Sequence, residues 1–169
     1  MAAYYFAARY SRHPEMRGYR DQLVAAIPHA VVTSRWIDCH GGAFDQSYTP
    51  EVLAAKPEEC WLNGQSDLED LAAADAIVSF TEGGYAGERP SKGGRHIEHG
   101  VAIAYVDNHI WLALGGPDRE AFRLIVVGPR ENIFHCHPAT EVYDSWLLFL
   151  GQESLTVHHP SLLLNEVED

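Results

Sequence analysis

Gly93-Gly94-Arg95-His96-Ile97-Glu98-His99-Gly100-Val101-Ala102-Ile103-Ala104 opens as a glycine loop and continues as an apolar helical pattern. Paired glycines permit backbone conformations that side-chained residues resist. Ile97, Val101 and Ala104 then recur at helical spacing, which predicts one buried helix face. Glu98 falls near the first turn of that helix, beside the loop. A carboxylate there is favoured by the positive end of the helix dipole, so Glu98 is expected to stay ionised at neutral pH. Two readings follow. Glu98 either satisfies the helix start or faces a pocket as a carboxylate nucleophile.

Working outward, buried strands flank this stretch on both sides. Residues 75–80, Asp-Ala-Ile-Val-Ser-Phe, form a short apolar run before the loop at 81–94. Residues 123–128, Arg-Leu-Ile-Val-Val-Gly, form another beyond it. Upstream, residues 3–8 read as a first buried strand and 30–34 as a second. Between them Pro14 opens a helix that places Met16, Tyr19, Leu23 and Ile27 on one face and stops at Pro28. Residues 36–57 read as irregular, 58–73 as a helix, 141–143 as a last short strand, and 145 to about 150 as a closing helix. Residues 106–122 are open to two readings, an insertion or, at 109–114, an extra strand. Strands alternating with helices predict one α/β domain over 1–169, with a mostly parallel central sheet between helical layers. In such folds ligands bind beyond the carboxyl ends of the strands. The loops there are 9–17, 36–57, 81–94 and 129–138, and Glu98 lies at the foot of the third.

Composition narrows the function. The 169 residues suffice for one sizeable core, and a net charge of −12 argues against binding a nucleic-acid polymer. Three cysteines without a CxxC pair fit free thiols in a reducing cytoplasm. The start, Met1-Ala2-Ala3-Tyr4-Tyr5-Phe6, lacks the pattern of a signal peptide, and no apolar run is long enough to span a bilayer.

Arg9, Ser11, Arg12 and Arg17 follow the first strand. They either hold a phosphate or pair with the abundant surface acids. Neither GxxxxGK[ST] nor GxGxxG is present, so no nucleotide-triphosphate or dinucleotide loop is expected. Carboxylates form a second theme: Glu82 and Glu88 can approach Glu98 from their loop. Asp75 fits equally a helix-to-strand cap or a catalytic acid. Asp38-Cys39-His40 and His135-Cys136-His137 are zinc-capable residue types at an unusual spacing, so loop histidines near a polar pocket are the preferred reading and no metal or other cofactor is expected.

Three segments, Tyr5-Phe6-Ala7-Ala8, Ala74-Asp75-Ala76-Ile77-Val78 and Gly94 through Ala102, together resemble the nucleoside 2-deoxyribosyltransferases and the related 2'-deoxynucleoside 5'-phosphate N-hydrolases. Their order and spacing match from about Tyr4 to Trp146. The resemblance implies a flavodoxin-like fold in a homo-oligomer. It implies Glu98 as the nucleophile that holds a covalent deoxyribosyl group, Asp75 as the aspartate that positions or protonates the base, and Tyr5 as the residue that orients Glu98. Asn132 sits where the family places a polar residue for sugar or phosphate. Ser91-Lys92-Gly93 stands where the transferases often carry an aspartate. With Arg9, Arg12 and Arg17, Ser91 and Lys92 favour a deoxynucleotide over a free nucleoside, and Gly94 belongs to the same expected substrate-binding set. The expected partner is therefore a small-molecule deoxynucleoside or deoxynucleotide. Two other readings stay open: a nucleotide-binding sensor without turnover, and a glycohydrolase of an NAD-like N-riboside.

Overall fold

The computed structural model describes residues 2–38, 50–81, 94–107 and 121–158. Within them five parallel strands, β1 (Ala3–Ala7), β2 (Val31–Val32), β3 (Ala76–Phe80), β4 (Arg123–Val127) and β5 (Thr140–Tyr143), form one sheet in the order β2-β1-β3-β4-β5. This is the flavodoxin-like order. The helices are α1 (His13–Ala26), α2 (Pro50–Ala55), α3 (Pro57–Ala72), α4 (Gly94–Val106) and α5 (Trp146–His158). Helices α1 and α5 pack together on one face of the sheet, and α3 and α4 on the other, so the fold has three layers.

The strands are apolar throughout because both faces are covered. Tyr5, Phe6, Ile77, Leu124 and Ile125 are fully buried. Alternation along β1 sends Tyr4 towards α5, where its ring meets Phe149 edge-on at 6.2 Å, and Tyr5 towards α4. The α1–α5 layer is sealed by aromatic packing. Tyr19 stacks on Trp146 at 4.6 Å, and Phe6 meets Phe80 at 5.1 Å.

Several boundaries differ from the sequence reading for physical reasons. Strand β2 pairs over two residues only, because the hydroxyl of Ser34 takes over the pairing. It accepts from Phe6 N at 2.7 Å and donates to Phe6 O at 3.2 Å. Helix α2 occupies part of the stretch read as irregular. Helix α5 runs well past residue 150, and Gly151 does not break it. Ile97 is 67% exposed, so the face of α4 that enters the core is not the one its apolar spacing marked; Ala102 and Tyr105 are the buried apolar residues there. The stretch at 108–120, including most of the expected insertion, lies outside the described residues.

Candidate active site

The chain leaves β1 towards β2 on one side and returns to β3 on the other, so the strand order switches between β1 and β3. Tyr5 projects from β1 beside this point. Its hydroxyl donates to Glu98 Oε1 at 3.0 Å. Glu98 is the fifth residue of α4, beyond the reach of the dipole's strongest effect, which fades within the first turn. Burial and the nearby charge of Asp67 instead push its pKa up to about 8, against the opposing pull of the Tyr5 hydroxyl and Arg95. Glu98 therefore keeps its proton at neutral pH in the free protein, contrary to the expectation drawn from helix position. Tyr5 is likewise pushed well above its ordinary value by burial and by Glu98.

The second carboxylate is Asp67, on α3. Burial and the neighbouring Asp70 raise it to about 6, and Arg35 opposes the shift. Asp67 raises Glu98, but Glu98 does not raise Asp67, because Glu98 is still neutral where Asp67 ionises. Two carboxyl groups of separated proton affinity thus lie within electrostatic reach of each other, one on α3 and one on α4. The sequence signal for Asp67 was present but unread. Asp67, Asp70 and Leu71 share one helical face, and Asp70 and Leu71 are buried. An acid on a core-facing stripe is more informative than an acid at a strand start.

Asp75 does not join this pair. It precedes β3 at the amino edge of the sheet, where its Oδ2 accepts from Ala3 N at 2.9 Å and its own N–H donates to Ala3 O at 2.7 Å. Of the two readings drawn from sequence, the cap at the strand start describes its contacts.

The first-loop residues lie at the carboxyl edge. Arg9 precedes the short 3-10 turn Tyr10–Arg12, and Ser11 is exposed within it. Arg12 forks onto Glu15 at 2.7 and 3.0 Å and lies over the Phe80 ring. Arg17 donates to Ile37 O at 2.8 Å and lies 3.7 Å from Asp38. Arg12 and Arg17 thus hold acidic partners within the chain. Gly94 opens α4. Ser91, Lys92, Glu82, Glu88, Cys39 and His40 lie outside the described residues.

Asn132 caps the 3-10 turn Ile133–Cys136 by accepting from Phe134 N and His135 N. Its amide nitrogen contacts His96 Nδ1 at 2.7 Å and His135 Nε2 at 3.2 Å, which ties the loop after β4 to α4. Behind these, His99 meets Ser79 Oγ at 2.8 Å and packs against His135 at 4.8 Å between ring centres. Burial and neighbouring imidazoles pull His99 down to about 4, and burial with His96 does the same for His135, so both are neutral at pH 7. Arg95 is a contributor the sequence reading missed. Buried, it donates to Phe80 O at 2.8 Å and pairs with Glu131 at 2.5 Å, which fixes the start of α4 against the end of β3. Among the described residues no group of three or more His, Cys, Asp or Glu side chains is arranged to hold a metal ion. Nor is any helix among them long and apolar enough to cross a membrane.

No protein-family model matches the chain, and no curated protein matches it. Among solved structures it is similar to the CMP N-glycosidase BcmB of Clostridium botulinum, at 15% identity over 90% of this chain and 98% of that one, with a TM-score of 0.44. A likeness of this strength decides nothing about activity, and the fold assignment rests on the strand order and layering described above.

Proposed function

We propose that this chain breaks the N-glycosidic bond of 2'-deoxynucleosides or their 5'-monophosphates by double displacement, passing the sugar to water or to a second base. The observation that carries the proposal is the Tyr5–Glu98–Asp67 constellation at the β1/β3 switch point. The ordered sequence motifs around Tyr5 and Glu98 support it. The singly protonated pair holds its proton mainly on Glu98, and the arrangement that reacts is its minor tautomer, with the proton on Asp67 and Glu98 ionised. That Glu98 oxygen attacks C1', the bond from C1' to the base nitrogen breaks, and its electron pair leaves with the base. Asp67 supplies the proton that the departing base takes up. Water or another base then attacks C1' and releases Glu98, with Asp67 recovering a proton from the attacking group. Tyr5 donates to the carboxylate that forms and so holds one Glu98 oxygen while the other reacts. Asp67 takes the acid role that the resemblance implied for Asp75. A homo-oligomer and a cytoplasmic location belong to the same proposal.

The test is intact-protein mass spectrometry after brief incubation with mixed 2'-deoxynucleosides and their 5'-monophosphates, with free base followed by chromatography. The expected result is a deoxyribosyl or deoxyribosyl-phosphate adduct that maps to Glu98, and no base release by Glu98→Ala. Full turnover by Glu98→Ala refutes the mechanism. Thermal stabilisation by nucleotides, with neither adduct nor base, replaces it with the sensor reading. Cleavage confined to ribosides replaces the substrate with the NAD-like class.

A further inference from the structure

Three consecutive residues, Ser34-Arg35-Trp36, bracket the candidate site from the β2 side. The outer two are tied to β1 next to Tyr5. Ser34 Oγ bonds both the N–H and the carbonyl of Phe6, and Trp36 Nε1 donates to the same carbonyl at 2.9 Å. The middle residue reaches the other way, onto α3. Arg35 N donates to Asp70 Oδ2 at 2.8 Å and Nε to Asp70 Oδ1 at 2.6 Å. Its Nη2 donates to Ser66 O at 3.1 Å and to Glu69 Oε2 at 3.1 Å. These acceptors span residues 66–70, the single helical turn that carries Asp67. Asp70 is buried and lies one turn from Asp67 on the same face. The four contacts use the planar guanidinium fork and the backbone together, an arrangement that a lysine cannot reproduce.

We propose that Arg35 is a positioning residue for the acid. Through Ser66, Glu69 and Asp70 it fixes the α3 turn that carries Asp67 relative to Tyr5 and Glu98, and it offsets the buried charge of Asp70 beneath Asp67. Among the described residues, the charged and titratable groups that interact electrostatically with Asp67 are Asp70 from its own helix, Arg35 from the loop after β2, Glu98 from α4 and Tyr5 from β1. Only Arg35 among them is cationic. Its removal takes away the favourable charge and leaves Asp70 uncompensated, and both changes strengthen Asp67's hold on its proton. The kinetic part of this inference rests on the N-glycosyl reading; the titration part does not.

The experiment follows the side-chain carboxyl carbon of Asp67 by NMR across pH in aspartate-labelled full-length protein, with Asp67→Asn for assignment. The wild-type midpoint is expected near the value of about 6 set by its surroundings. Arg35→Ala is expected to move it up by roughly 0.5–1.5 units, and Arg35→Ala with Asp70→Asn to bring it back. Arg35→Lys keeps the charge but not the fork. It is expected to hold the midpoint near wild type while base release falls about tenfold in kcat, with KM within about threefold. In Arg35→Ala the acid limb of kcat/KM is expected to move up with the midpoint. An unmoved Asp67 midpoint in Arg35→Ala overturns the charge role. Wild-type kcat in Arg35→Lys overturns the positioning role. Arg35→Lys supplies that decision even where Arg35→Ala does not fold. If wild-type protein releases no base from any substrate, the N-glycosyl reading fails, and the midpoints still decide whether Arg35 governs Asp67.

Discussion

Replacing Glu98 with Gln is expected to stabilise the protein, and increasingly so as pH rises. Glu98 moves from the usual 4.5 to about 8 on folding. Its folded value lies above its unfolded one, so the associated stability is present in full below about pH 4.5 and is lost as pH climbs through about 8. The full shift corresponds to about 5 kcal/mol. Glu98 is only partly buried by surface area, so solvent screening trims the effect to about 2–4 kcal/mol. For a chain of this length that equals a rise in Tm of about 5–15 °C at pH 8. Gln keeps the shape and still offers an oxygen to the Tyr5 hydroxyl. Its buried NH2 group can add a penalty of about 1–3 kcal/mol, but that penalty does not vary with pH. The slope is therefore the readout. Asp67 contributes a loss of the same sign through about pH 6 in both proteins, and it cancels in the difference. Melting curves of wild type and Glu98→Gln at half-unit steps from pH 4.5 to 8 test the argument. A gap that stays flat or closes with pH refutes it, because then Glu98 pays no penalty for ionising in the fold.

Tyr5→Phe removes the donor that favours ionised Glu98, so the Glu98 midpoint is expected to rise by about 1 unit, kcat/KM at pH 7 to fall roughly tenfold, and the alkaline limb of the profile to move up with the midpoint; a pH profile of both proteins checks this. Because the reactive form holds one proton between Asp67 and Glu98, wild-type kcat/KM is expected to follow a bell with limbs near about 6 and about 8, and a single monotonic rise contradicts that proton count. Asp67→Asn is expected to lower kcat by about 10²–10⁴ for substrates with poor leaving bases, while Asp75→Asn retains turnover and loses about 1 kcal/mol of stability in a denaturant titration, since its carboxylate accepts from Ala3 N at the amino edge of the sheet.

The sheet was legible because each central strand is a continuous apolar run, and continuity of that kind needs helices on both faces. The nucleophile candidate was legible because a glycine pair and a helical pattern meet at Glu98. What was less legible is informative. Ile97 shares its spacing with Val101 and Ala104, yet it is exposed, because the side of α4 that faces the sheet instead carries Glu98 and His99. Apolar periodicity finds the buried face of a helix only where that face is apolar, and here it carries polar side chains.

The two aspartates make the same point from opposite sides. Asp75 stands out in sequence because it opens an apolar strand, but every strand needs its edge satisfied, and a carboxylate that accepts a backbone N–H there is the ordinary solution. Asp67 is camouflaged among Asp67-Leu68-Glu69-Asp70, a run that reads as a solvated acidic face. Folding divides that run. Glu69 meets the exposed Nη2 of Arg35, Asp70 is buried under the same guanidinium, and Asp67 lies within electrostatic reach of Glu98. Burying two acids on one helical turn is unfavourable unless a cation offsets at least one of them. Arg35 therefore makes the Asp67–Glu98 pair possible: it neutralises Asp70 from outside the layer, so Asp67 can still give up its proton near pH 6.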